Sequence, residues 1–167
     1  MSRIFLIVLV FVLTACQAVT LNSQVAPVFK KYTELNAQFL EAVNSNGKTE
    51  RKRVEAYMYH EYTDALNLLE TKYCIAPDQN ALDSFISVLT ATSNSAYETP
   101  SFVLGKLYIC QPDLIINKIY TLNVKEKNHI VQMLDWGFQN VTYKHEDEIE
   151  NFLELSKRLK SLKATIK

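Results

Sequence analysis

Residues 25–43 read VAPVFKKYTELNAQFLEAV. Within them Val25, Val28, Phe29, Tyr32, Leu35, Phe39 and Val43 step by threes and fours. That is the period of one face of an α-helix, not the alternation of a strand. Asn22 or Ser23 is placed to cap this helix, and Asn44-Ser45-Asn46-Gly47 to stop it. The same reading extends down the chain. Thr49 caps a second helix to about Cys74, in which Val54, Tyr57, Met58, Tyr62, Ala65, Leu66, Leu68, Leu69 and Tyr73 share one broad arc. Ala76-Pro77 ends it. A third helix runs from about Asp78 to Ala91 on Leu82, Phe85, Ile86 and Leu89, and Thr92 to Glu98 (TSNSAYE) is loop.

Thr99-Pro100 then reads as an N-cap followed by proline at the first helical position, opening a helix to Cys110. Gln111-Pro112 interrupts the chain and restarts it through Leu122. Another helix covers about Val124 to Phe138, with Ile130, Val131, Leu134 and Phe138 inward. The last covers about Glu146 to Leu162, with Ile149, Phe152, Leu153, Leu155, Leu159 and Leu162 inward. Its acids Glu146, Asp147, Glu148 and Glu150 precede its bases Lys157, Arg158, Lys160 and Lys163, which suits the helix dipole and a solvated face.

The expected fold is therefore all-α: an irregular bundle of about seven antiparallel helices joined by short connections. The short helices between Pro77 and Phe138 could stack as solenoid-like pairs. Composition agrees. In 167 residues there are only 3 Gly and 4 Pro, too few turn formers for a β-sandwich. The 18 Lys and Arg balance 18 Asp and Glu, so the basic excess of a nucleic-acid-binding protein is missing and no nucleic-acid partner is expected.

The chain begins MSRIFLIVLVFVLTACQ. Ten apolar residues, Ile4 to Leu13, follow Arg3 and lead into Thr14, Ala15 and Cys16. A spanning helix needs about 20 apolar residues, and this run has no polar face to let it lie on a core. The layout is that of a cleaved export signal. Leu13-Thr14-Ala15-Cys16 resembles the lipobox of bacterial lipoprotein precursors. The resemblance covers residues 1–16 only. It implies cleavage before Cys16, a diacylglycerol thioether on its sulfur, and a further acyl chain such as palmitate on the new amino terminus. Gln17, in place of the Asp that retains such proteins in the inner membrane, implies an outer-membrane address facing the periplasm. The organisation expected is a signal peptide at 1–15, a lipidated tether at 16–23 and one helical domain at 24–167. Two or more acyl chains hold a protein firmly where one holds it marginally.

With Cys16 assigned to lipid, Cys74 and Cys110 remain, each ending a helix before a proline break. In an oxidising compartment an even pair is expected to be bonded. Other chemistry is sparse. His60-Glu61-x-x-Asp64 sets two possible ligands one helical turn apart, but lacks the second histidine of a zincin helix. A surface His–Asp pair is the simpler expectation, and no metal, cofactor or catalytic residue is assigned. His145 reads as a loop residue and His129, among Lys125, Glu126 and Lys127, as exposed. Gly47, Gly105 and Gly137 stand alone. Trp136 in LDWGF reads as core rather than a carbohydrate platform. EAYMYHEY places Tyr57, Tyr59 and Tyr62 together as candidate partner-binding residues, with Tyr59 at the edge of the apolar arc.

The functional expectation is a lipid-anchored, non-catalytic protein-binding or assembly lipoprotein with a protein partner in the periplasm. An immunity or inhibitor protein is one version. The alternatives are a structural subunit of an envelope or secretion machine, or an envelope enzyme using His60, Glu61 and Asp64.

Overall fold

The computed structural model describes residues 19–44, 47–93, 97–142 and 149–166. The signal peptide, Cys16 and Gln17 lie outside these residues, as do His145 and the acids Glu146, Asp147 and Glu148. Every regular element among the described residues is helical. In chain order they are α1 (Leu21–Asn44), α2 (Lys48–Tyr57, continued through a π turn at Met58–Tyr62 into Thr63–Tyr73), α3 (Gln79–Ala91), α4 (Thr99–Cys110), α5 (Pro112–Tyr120), α6 (Val124–Thr142) and α7 (Phe152–Ala164). The all-α expectation holds.

α1 starts earlier than its sequence suggests. Thr20 Oγ1, not Asn22 or Ser23, accepts the Ser23 N–H at 3.2 Å. Asn22 lies in the first turn, where its N–H donates to Asp78 Oδ2 at 2.9 Å and its side-chain oxygen accepts from Ser84 at 2.8 Å. Free first-turn N–H groups are thus met by a neighbouring loop, and the tether loses Leu21, Asn22 and Ser23 to the helix. Pro27 falls on the solvent side of α1.

α2 runs back along α1. Arg53 bonds Gln38 at 2.5 Å, and Tyr57 donates to the Val28 carbonyl at 3.3 Å. Lys48 begins α2 with Gly47 before it, so Thr49 lies inside the helix and caps nothing. The π turn has a geometric consequence. One extra residue in a turn rotates everything downstream by about 100°. Without it Val54, Tyr57, Tyr62, Ala65, Leu66, Leu69 and Tyr73 would spread over roughly 180° of the helix surface; with it they fall within roughly 100°. All seven are buried, while Leu68, rotated off that stripe, is half-buried.

α3 packs chiefly on α1, and α4 chiefly on α6, instead of stacking as sequential pairs. α4 is central. Pro100, Ser101, Val103, Leu104, Gly105, Leu107 and Tyr108 are buried over about 200° of its surface, and Lys106 stands exposed on the remaining side. It crosses α6 where two of the lone glycines meet. A Cβ built on Gly137 would sit 1.8 Å from the Ser101 carbonyl oxygen, and one on Gly105 2.6 Å from the Gly137 carbonyl carbon. Only hydrogen fits at either position.

α7 begins at Phe152, after Asn151 with φ of 61°. Asparagine tolerates this left-handed conformation better than most residues. Glu150 therefore precedes the helix instead of lying in its first turns, and Leu153, expected inward, is 73% exposed. α7 is held by its buried Leu155, Leu159 and Leu162 and by Tyr108, whose phenol donates to the Leu155 carbonyl at 2.7 Å. Ion pairs of Arg158 with Asp113 and Lys163 with Asp135 flank that seam.

Cys74 and Cys110 are bonded, with 5.6 Å between Cα atoms. The bond joins the C-terminal ends of α2 and α4.

Candidate functional site

The three tyrosines of EAYMYHEY part company. Tyr62 is fully buried and stacks on Tyr32 with ring centres 3.9 Å apart. Burial first, then the neighbouring phenols Tyr32 and Tyr97, push its hydroxyl well above the usual phenol range. Tyr57 is buried too, under the Lys31 ammonium at 4.7 Å. As candidate partner contacts both are corrected: the helix face that makes them core is the face the π turn aligns. Tyr59 alone is exposed, at 63%.

Tyr59 borders a cleft. Its ring meets Tyr97 edge-on at 6.2 Å, and Tyr97 also leans on Tyr62 at 6.1 Å. Tyr97 is fixed from the π turn: Thr63 donates its one proton to the Met58 carbonyl at 2.8 Å, leaving its oxygen to receive the Tyr97 phenol at 2.7 Å. Behind Tyr97 opens a depression of about 400 Å³ between α1, α3, α4 and α6. Tyr32, Leu89, Met133 and Trp136 give it apolar walls; Thr92, Glu98, Ser101, His129 and Gln132 give it hydrogen-bonding groups. Such a mixture of aromatic surface with a few convergent polar groups suits the capture of a protruding polar side chain or a small ligand.

Two sequence expectations change here. Trp136 is not closed into the core: it is 36% exposed, packs edge-on against Phe102 at 4.9 Å and lines the cleft. His129 is half-buried, not exposed, with Nε2 covered and without a hydrogen-bond partner among the described residues. Burial lowers its pKa below the ordinary histidine value, and a bond to the Leu89 backbone opposes this in part. The residues before it misled: Lys125, one turn earlier on the same side of α6, is exposed, whereas His129 lies deeper in the fold. The spacing His129, Gln132, Met133, Trp136 is itself a helical stripe, and that signal could have found the site.

His60, Glu61 and Asp64 lie on an exposed face of α2. His60 and Glu61 sit inside the π turn, so His60 and Asp64 do not keep the regular one-turn register. No group of three His, Cys, Asp or Glu residues that could hold a metal occurs among the described residues. Nor is any helix among them long and apolar enough to cross a membrane. No family model, curated protein or solved structure matches the chain.

Proposed function

We propose that the mature chain is a lipid-anchored, periplasm-facing binding lipoprotein without catalytic activity, which engages a protein partner at the Tyr59–Tyr97–Trp136 cleft. Leu13-Thr14-Ala15-Cys16 behind its apolar run is the observation that carries the reading. The Cys74–Cys110 bond supports it, since such bonds persist in oxidising compartments outside the cytosol. The outer-membrane address rests on Gln17. The cleft supports the binding role: its aromatic walls offer large rigid contact area, and its polar groups fix orientation. An immunity or inhibitor protein that neutralises an incoming toxin is the version such a small anchored body fits best.

The test is cellular. A photoreactive residue at Tyr59 is expected to crosslink a discrete envelope protein, and one at Leu40, on the far half of α1, is not. Cys16→Ser is expected to leave the chain without diacylglycerol and with residues 1–15 uncleaved. Normal cleavage of Cys16→Ser before residue 16 would contradict the lipobox reading, and identical crosslinks from both positions would contradict the cleft.

A further inference from the structure

We propose that the Ile75-Ala76-Pro77 loop is a membrane-contacting surface, lying on the same bilayer that the acyl chains of Cys16 enter. The inference rests on the lipidation proposed above and adds a contact made by the protein itself.

Chain length sets the first constraint. Four residues separate Cys16 from Thr20, so the lipidated sulfur-bearing residue stays within about 14 Å of the start of α1 even when fully extended. The bilayer surface must come equally near that end of the molecule. The loop between α2 and α3 is fixed at the same end, because Asn22 in the first turn of α1 is bonded to Asp78 at 2.9 Å and to Ser84 at 2.8 Å. Asp78 is the third residue after Ile75.

The loop presents apolar atoms where solvent would favour polar ones. Ile75 is 81% exposed, and Ala76 and Pro77 are exposed beside it. Val19, just ahead of α1, is 73% exposed. The backbone holds the loop in this form: the Ile75 and Ala76 N–H groups both donate to the Lys72 carbonyl, at 3.1 and 3.0 Å. The bond from Cys74 to Cys110 anchors its base.

The Asp78 carboxylate is engaged by three backbone N–H groups, those of Asn22, Asn80 and Ala81, while the exposed Lys72 offers a cation. Val43 supplies an internal control. It is 42% exposed, but lies at the other end of α1, about 33 Å along the helix from Leu21.

The mature lipidated protein tests this in vesicles of phosphatidylethanolamine and phosphatidylglycerol with brominated acyl chains, which quench tryptophan on contact. Ile75→Trp and Val43→Trp are compared with the parent, whose Trp136 supplies the common background. The expected result is that bromolipid cuts the added Ile75→Trp emission about two-fold, as for an interfacially seated side chain, and leaves that of Val43→Trp untouched. Vesicle-bound protein with neither position quenched would overturn the inference and leave the lipid anchor standing. Protein taken from the membrane fraction that proves to carry no lipid on Cys16 would overturn both. Ile75→Glu that abolishes a protein crosslink while vesicle quenching is absent would make the loop a protein interface and overturn the inference in another way.

Discussion

Tyr62, Tyr73 and Tyr108 are all fully buried, yet their hydroxyls stand differently. Tyr108 donates to the Leu155 carbonyl, whereas Tyr62 and Tyr73 find no partner among the described residues. A buried polar atom left unpaired costs free energy, and removing a made hydrogen bond costs about 1 kcal/mol. Tyr108→Phe is therefore expected to lower stability by about 1 kcal/mol, while Tyr62→Phe and Tyr73→Phe leave it unchanged or raise it, read by urea denaturation. Burial pushes Tyr73 and Tyr108 up to about 12, so both resist ionisation in the fold. His129 shifts the other way. Its folded pKa is lowered, so between the unfolded histidine value of about 6.5 and the lower folded value the unfolded chain binds more protons. Stability thus falls as pH drops through that window. His129→Gln is expected to flatten this part of the stability–pH curve; an unchanged slope would show that His129 is not the group responsible.

At the scale of elements, α2 carries the sharpest consequence of the π turn. Deleting His60 removes the extra residue and lets Met58–Tyr62 become ordinary α-helix, with the buried stripe still aligned. Deleting Asn67 instead rotates Leu69 and Tyr73 by about 100° away from the core. The first variant is expected to fold and the second to fail, a difference visible by circular dichroism and thermal melting. The α4–α6 crossing gives a second prediction: Gly137→Ala drives a methyl into the Ser101 carbonyl and is expected to cost about 3 kcal/mol, the upper range for overpacking. The period-3.6 pattern made the helices legible, because burial of one face is what each helix is selected for. The π turn was not, since MYHEY contains no residue that demands it and only the mismatch between the two halves of the stripe hints at it. Gly105 and Gly137 carried no local signal either, because their use is a contact between helices far apart in sequence. The cleft was half legible: Tyr59 stood at the edge of the arc, but Tyr97, in a loop-like stretch, and His129, behind a charged one, needed the packing to bring them together.

Across the whole molecule the disulfide ties the C-terminal end of α2 to that of α4, closing a separation of 36 residues. The chain-entropy relation puts its effect at about 4 kcal/mol, so reduction is expected to lower the melting temperature markedly while the non-reduced protein shows no free thiol at Cys74 or Cys110. The export and lipid anchoring proposed above give the bond, the cleft and the apolar loop a common setting. Intact-mass measurement of the non-reduced protein extracted from membranes tests that claim most directly. The expected product is a chain beginning at Cys16, carrying a thioether-linked diacylglycerol there and lacking the two hydrogens displaced by the Cys74–Cys110 bond. A chain retaining residues 1–15, or one whose Cys16 is an unmodified thiol, would contradict it.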